Sequence, residues 1–466
     1  MTTRKTTPGD PSLAWIIAGT SLGFVVVQLD VTVVNVALPK IATDLRAGVE
    51  VLQWVVDAYA LTFSVLLLSA GGLGDRFGSR RLFVLGFALF AAASIACGAA
   101  PNGGALIAGR ALQGIGAALL VPPSLALLNH AAGHDDKVRA RAVGLWTAAG
   151  GVSIAAGPLA GGLLIGTLGW RSIFFVNVPI CAIGIAMALR IPDTVCHPDA
   201  RRIDARGQTL AIIAMAGLIG AVIEARPLGA TSPVVLVGGA LAILCGAGFV
   251  MAERRAHSPM VPTEMFRGAR LGPLIAFGTL VNLTYYGIIF ILSLYLQQLL
   301  GYSAIQAGVA YLPLTATFIV ANLLSGWLTG HAGSRTPMAI GAIVGAAGYA
   351  LLLRLSAASS YPSMLLAFIL IPAGMGLAVP AMTTATLAAV DRKWAGTVSA
   401  LLNTARQAGG AIGVAIFGAF VGNARDHIVG GLHMASVTSA ALLIGAAMLA
   451  WFGVNGAAKQ RSERSA

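Results

Sequence analysis

Charge is the property this chain has least of. Only 10% of its 466 residues are Asp, Glu, Lys or Arg, while 57% are hydrophobic and the mean hydropathy is +0.84. Soluble domains carry about 25% charged residues. No soluble globule could bury so large an apolar share, so the chain reads as a polytopic, all-α membrane protein. Cysteine is also scarce. Cys97, Cys181 and Cys245 fall in apolar stretches and Cys196 in a polar loop, with no CxxC and no Cys/His cluster; they read as small packing residues, and no metal site is expected. There is no Gly-x-x-x-x-Gly-Lys-Ser/Thr to cradle ATP phosphates, no His-Glu-x-x-His, no nucleophile elbow and no long polar stretch. These motifs mark the common nucleotide-driven and hydrolytic chemistries, so the sequence predicts no enzyme activity and no cofactor. An ion gradient, worth about 2.3 kcal/mol per charge per 100 mV, is left as the energy source. The first apolar stretch, about 13–38, is too long for a signal-peptide h-region and lacks an Ala-x-Ala site, so no cleaved leader is expected.

A helix needs about 20 largely apolar residues to cross a bilayer. Fourteen stretches qualify: about 13–38, 52–73, 82–100, 103–128, 140–166 and 172–190; then 208–225 and 233–251; then 271–298, 304–329, 337–355, 363–389, 395–422 and 434–455. The pattern is six, two, six. With both termini placed in the cytoplasm, the loops and tails on that side hold 22 of the 30 Lys and Arg, against six on the other side and two, Arg110 and Arg406, inside spans. That bias orients a membrane protein. The net charge of +13 is therefore spread over loops on one side and does not form a nucleic-acid-binding face. The polar segments near 191–207 and 252–270 read as linkers, which divides the chain into a six-helix bundle (1–195), two extra helices with their flanking linkers (196–268), and a second six-helix bundle with a tail (269–466).

The run Gly71-Gly72-Leu73-Gly74-Asp75-Arg76-Phe77-Gly78-Ser79-Arg80-Arg81 joins two apolar spans, so it is the turn of a helical hairpin, and its arginines put it on the cytoplasmic side. The stretch returns at an offset of 255: Gly326, Leu328, Gly333, Ser334 and Arg335 repeat five of its first ten residues, while Asp75-Arg76 becomes Gly330-His331. The interval from Gly144 to Gly157 likewise matches that from Gly396 to Gly409, and Gly157-x-x-x-Gly161 matches Gly409-x-x-x-Gly413. Internal repeats of this kind build alternating-access transporters, with substrate held between the halves near mid-membrane.

Charges inside spans are costly. Asp30 sits near the middle of the first span, where a carboxylate costs at least about 2.5–3.5 kcal/mol on insertion scales unless paired or protonated. It is either a proton carrier or a structural group bonded to backbone or to Arg110. Arg110, deep in the fourth span, stays charged and needs a carboxylate, carbonyls or water, so Asp30 with Arg110 is the natural coupling pair, the alternative being a fixed ion pair. Asp57, two turns inside the second span, is a second titrating site, a counter-charge for a cationic substrate, or a passive solvated group. Arg406 either lines the cavity or pins its helix. Glu224, beside Arg226 and Pro227, reads as a solvated interfacial charge.

Gly157-Pro158-Leu159-Ala160-Gly161-Gly162, preceded by Gly150-Gly151, lets its helix approach a neighbour closely, while Pro158 removes one helical hydrogen bond. This suits a bendable helix at the interface between bundles. In the hairpin, Asp75, Arg76, Arg80 and Arg81 could latch the inner ends of the bundles in one conformation, or serve topology alone. Substrate would lie against aromatic and polar side chains of facing helices, with Tyr59, Phe63, Asn282, Tyr285, Tyr286, Gln297 and Arg406 as candidates.

Taken together, these residues resemble the major facilitator superfamily in its fourteen-span drug:proton antiporter branch, over about 13–451. Gly71 to Arg81 is similar to the family's motif A, departing at Ser79 where a basic residue is usual. Arg110-Ala111-Leu112-Gln113-Gly114 resembles motif B, associated with proton coupling, and Gly157-Pro158 with Gly161-Gly162 resembles motif C, the antiporter signature. Leu29-Asp30 with Thr32-Val33-Val34-Asn35-Val36-Ala37-Leu38-Pro39 resembles the first-helix motif of the branch, and Trp54-Val55-Val56-Asp57-Ala58-Tyr59 is nearest to methylenomycin A resistance-type exporters. The resemblance implies a major facilitator fold, with two pseudo-symmetric bundles plus two extra helices. It also implies a monomer in the bacterial inner membrane, with protons and amphipathic drugs or antibiotics as its exchanged cargo. A dedicated exporter of one endogenous metabolite is the second reading, which a neighbouring biosynthetic cluster would favour. A membrane sensor without transport is the third, and the buried charges argue against it.

Overall fold

The structure is a computed structural model that describes residues 12–133, 136–192, 204–256, 265, 271–390, 395–422 and 426–453. Sixteen α-helices and one π-helical turn, and no strand, occur among the described residues. They are α1 (Leu13–Leu45), α2 (Val49–Phe77), α3 (Ser79–Gly98), α4 (Gly103–Ala132), α5 (Asp136–Leu168), α6 (Ser172–Phe175), α7 (Asn177–Ala188), α8 (Ala205–Leu228), α9 (Pro233–Arg255), α10 (Leu271–Leu294) continued by the π turn Tyr295–Leu299, α11 (Ala304–Ala310), α12 (Leu312–Ala332), α13 (Arg335–Leu352), α14 (Tyr361–Ala388), α15 (Ala395–Val421) and α16 (His427–Gly453).

Helix ends follow local chemistry. Asn102 accepts from Ala105 N at 2.9 Å to cap α4, Asp204 accepts from Gly207 N at 2.9 Å to cap α8, and Ser303 with Gln306 forms a capping box on α11. Each satisfies donors that the first helical turn leaves open. Gly78 links α2 to α3 in a single residue with φ of 93°, a conformation that glycine adopts without steric cost. The hairpin read from the sequence is therefore present, and tighter than a loop.

Among the described residues, twelve helical segments are long and apolar enough to cross a bilayer, with α10 plus its π turn, and α11 plus α12, each counted once. Length and composition thus fall short of the fourteen expected. The two remaining segments are irregular. Helix α5 bends by 41° between Ile154 and Ala156, because Pro158 has no N–H to give the Ile154 carbonyl and its ring crowds that turn. The sixth stretch is only Ser172–Ala188, broken at Val176 between α6 and α7.

Packing repeats along the chain. Helix α1 packs on α4, α5 and α7, α3 on α4 and α7, and α2 on α4; later, α10 packs on α14, α15 and α16, α13 on α14 and α16, and α12 on α14. The second set is the first with each helix replaced by its counterpart. The glycine pairs obey the same rule: a Cβ on Gly157 or Gly161 would meet Thr32 or Val33 of α1, and one on Gly409 or Gly413 would meet Thr279 or Leu283 of α10. The two sets meet where α2 packs on α15, α5 on α11 and α12, and α1 on α10.

Such close backbone approach makes some glycines intolerant of substitution. A Cβ on Gly341 of α13 would stand 2.5 Å from Gly374 O of α14. Gly341→Val should therefore lower thermal stability in detergent by about 1–3 kcal/mol, the usual cost of overpacking; an unchanged melting temperature would show that α13 and α14 separate freely.

Helix α8 lies against both α2 and α15. It is tied to α2 by Trp54 Nε1, which donates to Glu224 Oε1 at 3.3 Å, by Gln208 Nε2, which donates to Val65 O at 2.8 Å, and by Ser69 Oγ donating to Gln208 Oε1. Glu224 is thus a bonded group and not merely a solvated one. Helix α9 packs on α8 and buries only Glu253 near its end, exposing Leu236, Ile243 and Leu244. An all-helical segment with its backbone internally bonded and its side chains apolar suits contact with lipid.

Candidate functional site

The polar centre of the first half is built on Asp30. Its carboxylate is 2% exposed and Arg110 is 1% exposed, and Arg110 NH1 bonds Asp30 Oδ2 directly. Asp30 Oδ1 accepts from Gln113 Nε2 at 3.2 Å and from Asn177 Nδ2 at 3.0 Å. Arg110 and Gln113 stand one turn apart on α4, so they share a face, and Arg110 NH1 also donates to Gln113 Oε1 at 2.8 Å. Ser94 Oγ of α3 accepts from Gln113 at 2.7 Å and from Asn177 at 3.3 Å. The break before α7 makes Asn177 the first residue of that helix. Arg110 Nε donates to Val55 O of α2 at 3.0 Å, and its guanidinium lies over the Tyr59 ring at 4.3 Å from the centroid, a cation–π contact of the kind that gains strength when dry.

Four helices and a helix start therefore converge on one carboxylate. Every donor aimed at Asp30 is fixed by a second bond. A buried pair so completed is stable while ionised, and removal of either charge leaves the other without its main partner. Val55 O, Gln113 and the Tyr59 ring hold Arg110 independently of Asp30.

Asp57 has the opposite surroundings. It is 0% exposed, so it is not solvated, and neither carboxylate oxygen has a hydrogen-bond partner. One turn away, Gln53 Nε2 donates across the seam to Ala415 O at 2.7 Å and Val414 O at 3.3 Å. One turn the other way, Leu61 packs with Ile219 and Ile223 of α8 and Ala411 of α15.

Between the halves lies a narrow cleft lined by Val31 and Val34 of α1, Val56, Tyr59 and Ala60 of α2, Arg110, Tyr286 of α10, and Gln407, Gly410, Ala411 and Val414 of α15. Of the expected cavity residues, Tyr59 and Tyr286 reach it. Phe63 packs instead in the core of the first half. Tyr285 lines a separate small gap within the second half, beside Tyr349 and Met375. Asn282 Nδ2 turns back to Gly278 O at 2.9 Å. Gln297, in the π turn, donates to Val36 O of α1 at 2.9 Å, so it belongs to the seam. Arg406 does not line the cleft: its stem lies beside Gly278 of α10, although the adjacent Gln407 does line it and Tyr286 of the cleft wall interacts electrostatically with it.

The glycine motif occupies the same seam. A Cβ on Gly162 would be 2.6 Å from Ala304 O of α11, and one on Gly308 would be 2.5 Å from Pro158 O. Ser293 Oγ donates to Asn35 O nearby. All these contacts, with Gln53 and Gln297, lie at the end where α1 turns into α2 and α10 into α11. In the hairpin at the other end, Arg76 is exposed, Arg80 NH1 donates to Ile191 O at 3.2 Å, a Cβ on Gly71 would meet nothing within 4 Å, and the Asp75 side chain lies outside the described residues.

A duplicated helical packing scheme around one buried acid–arginine pair agrees with what the sequence is similar to. Residues 20–414 match the model of the Major Facilitator Superfamily. The chain belongs to that family. This superfamily member is 40% identical over 408 residues to the methylenomycin A resistance protein of Bacillus subtilis (strain 168), covering 86% of each chain. It is 37% identical over 402 residues to the multidrug resistance protein Stp of Mycobacterium tuberculosis (strain CDC 1551 / Oshkosh), covering 86% of this chain and 74% of that one. A crystal structure of a peptide transporter POT in complex with sulfate superposes with a TM-score of 0.71 at 15% identity, covering 94% of this chain and 95% of that one, which shows a shared fold. This superfamily member is thus a multi-pass membrane transporter and not an enzyme.

Sequence reasoning missed Asn177 and Ser94. Their one signal was a neutral polar residue inside an apolar run, which serine and asparagine give in many membrane helices.

Proposed function

We propose that this transporter is a proton-coupled antiporter that exports amphipathic drugs or antibiotics from the bacterial cytoplasm by alternating access. The observation that carries the reading is the single buried carboxylate of Asp30 shared among Arg110, Gln113 and Asn177. When a proton neutralises Asp30, Arg110 loses its counter-charge and relaxes toward Val55 O, Gln113 and the Tyr59 ring. Tyr59 and Arg110 both line the cleft, so the change reaches the space where cargo sits. Asp57, enclosed without a partner, is the second proton site; an uncharged carboxyl is the form that so apolar a place tolerates. Names of the resistance relatives support drugs or antibiotics as cargo.

The remaining organisation follows from this reading. Fourteen crossings, with α5 and α6–α7 counted as spans, put both termini in the cytoplasm of a monomer in the inner membrane. The division 1–195, 196–268 and 269–466 makes the two packing sets the moving bodies, with α8 and α9 inserted between them. The Gly157–Gly162 seam is then the closed outer gate, and the Asp75–Arg76–Arg80 hairpin is the latch that engages when the inner ends close.

The test is drug-driven proton movement in proteoliposomes across cationic, neutral and anionic compounds. Wild type should release protons when a cargo compound is added, and Asp30→Asn should bind the compound without moving protons. Equal proton movement in that variant would remove Asp30 from the mechanism.

A further inference from the structure

The second half of the chain has an imbalance of charge at mid-membrane. Between residues 271 and 422 the sole acidic residue is Asp391, which lies outside the described residues. Arg406 therefore has no carboxylate available from its own helices. Its Nε is buried without a hydrogen-bond partner. The one carboxylate beside the cleft, Asp30, is committed to Arg110, and Asp57 is absent from the cleft wall although Val56, Tyr59 and Ala60 on the same helix contribute to it. The centre of the transporter thus combines a neutralised pair on one side with an uncompensated guanidinium on the other.

An arginine stays ionised at any accessible pH, and its planar fork matches a carboxylate in two parallel hydrogen bonds. Arg406 as a whole is only half-buried, which leaves it reachable, and its buried, unmatched Nε gains from any acceptor that a ligand supplies. Tyr286, which interacts with Arg406 and lines the cleft, adds an aromatic face beside the cation, and Gln407 adds an amide. Arg406 is not itself part of the cleft wall, but it stands next to Gln407 and one turn before Gly410 on α15, both of which line it, so the apolar slot has one cation immediately beside its wall.

Resting on the exporter reading above, we propose that Arg406 anchors an acidic group of the exported molecule, so that this transporter selects amphiphiles bearing a carboxylate or similar oxyanion over cationic drugs. The aromatic or aliphatic body of the cargo lies along Tyr286, Tyr59 and Ala411, and its oxyanion meets the guanidinium. Cargo of this kind completes the charge balance of the cleft, whereas a cation adds to the excess.

Binding of three matched probes to the purified full-length protein, measured calorimetrically, tests this: 1-naphthylacetate, 1-naphthylacetamide and 1-naphthylmethylammonium. The acid should bind wild type about tenfold more tightly than the amide, the scale of a charge-assisted hydrogen bond, and the ammonium should bind weakest. Arg406→Gln should erase that difference by weakening the acid alone, and Arg406→Lys should restore part of it, with melting temperatures checking that both variants fold. Tighter binding of the ammonium, no binding of the acid, or equal weakening of all three probes in Arg406→Gln would overturn the proposal, the last by showing a structural role. Transport separates the two readings. If the acid preference holds but no probe moves against an imposed pH gradient, the exporter reading fails and this one stands. If the ammonium probe is exported and is unaffected by Arg406→Gln, the reverse is true.

Discussion

Arg110→Ala is expected to abolish export and to destabilise the protein by about 3–5 kcal/mol, the range for breaking a buried ion pair by removing one partner. Asp30 would keep Gln113 Nε2 and Asn177 Nδ2, but two amides cannot replace a guanidinium bonded to the carboxylate in a dry interior. The Tyr59 ring would also lose the cation stacked at 4.3 Å, and Val55 O the donor at 3.0 Å. Arg110→Lys should fail almost as badly for transport, because one ammonium cannot reach Asp30, Gln113 and Val55 O with the geometry of the fork. Thermal unfolding in detergent and flux in proteoliposomes measure the two effects. The decisive comparison is Asp30→Asn/Arg110→Gln, which removes both charges. It should regain most of the stability and none of the proton coupling. If the double variant unfolds as readily as Arg110→Ala, the loss comes from packing and not from a stranded charge.

Gly308→Val should produce the second large effect, on conformation. Its new side chain would press on Pro158 O, to which a Cβ at this position already stands at 2.5 Å. Both atoms are at the seam where α11 meets α5, so the clash is relieved by parting the halves and not by unfolding either one. Overpacking of about 1–3 kcal/mol moves a two-state equilibrium by roughly 5- to 150-fold. Ser293, buried in the same seam and bonded to Asn35 O, is a convenient reporter. In a Ser293→Cys background, Gly308→Val should raise the rate of maleimide labelling of the purified protein by about tenfold or more, a factor that corresponds to 1.4 kcal/mol. A fall in melting temperature with no change in labelling would place the relief within one half and count against a hinged seam.

Much of the site was legible from chemistry alone. A carboxylate and a guanidinium placed in oil must find each other, so Asp30 and Arg110 could be paired before any coordinates were known. Asp57 shows the limit of that logic. It is the same residue type at similar depth, yet it turns toward α8 and α15 and meets no donor. The two aspartates differ because of the direction their helices present, which is set by packing against neighbours distant in sequence. The same holds for Tyr285 and Tyr286. One helical step of about 100° sends the first into the interior of the second half and the second into the cleft. Phe63 and Gln297 were misplaced for this reason, as core and as seam.

The sequence by itself determined the all-helical membrane class, the duplicated plan, the glycine turn at Gly78 and the identity of the central ion pair. Those follow from composition, from repeats and from the cost of isolated charge, none of which depends on where distant helices lie. Only the tertiary structure decided that Asn177 and Ser94 complete the pair and that Gly162 and Gly308 pack tightly at one end. It also decided that neither Asp57 oxygen nor Arg406 Nε meets a hydrogen-bond partner. Each of these depends on how helices rotate and cross, and that is settled by close packing of many apolar contacts whose pattern, in a chain this uniformly hydrophobic, leaves almost no periodic trace along the sequence.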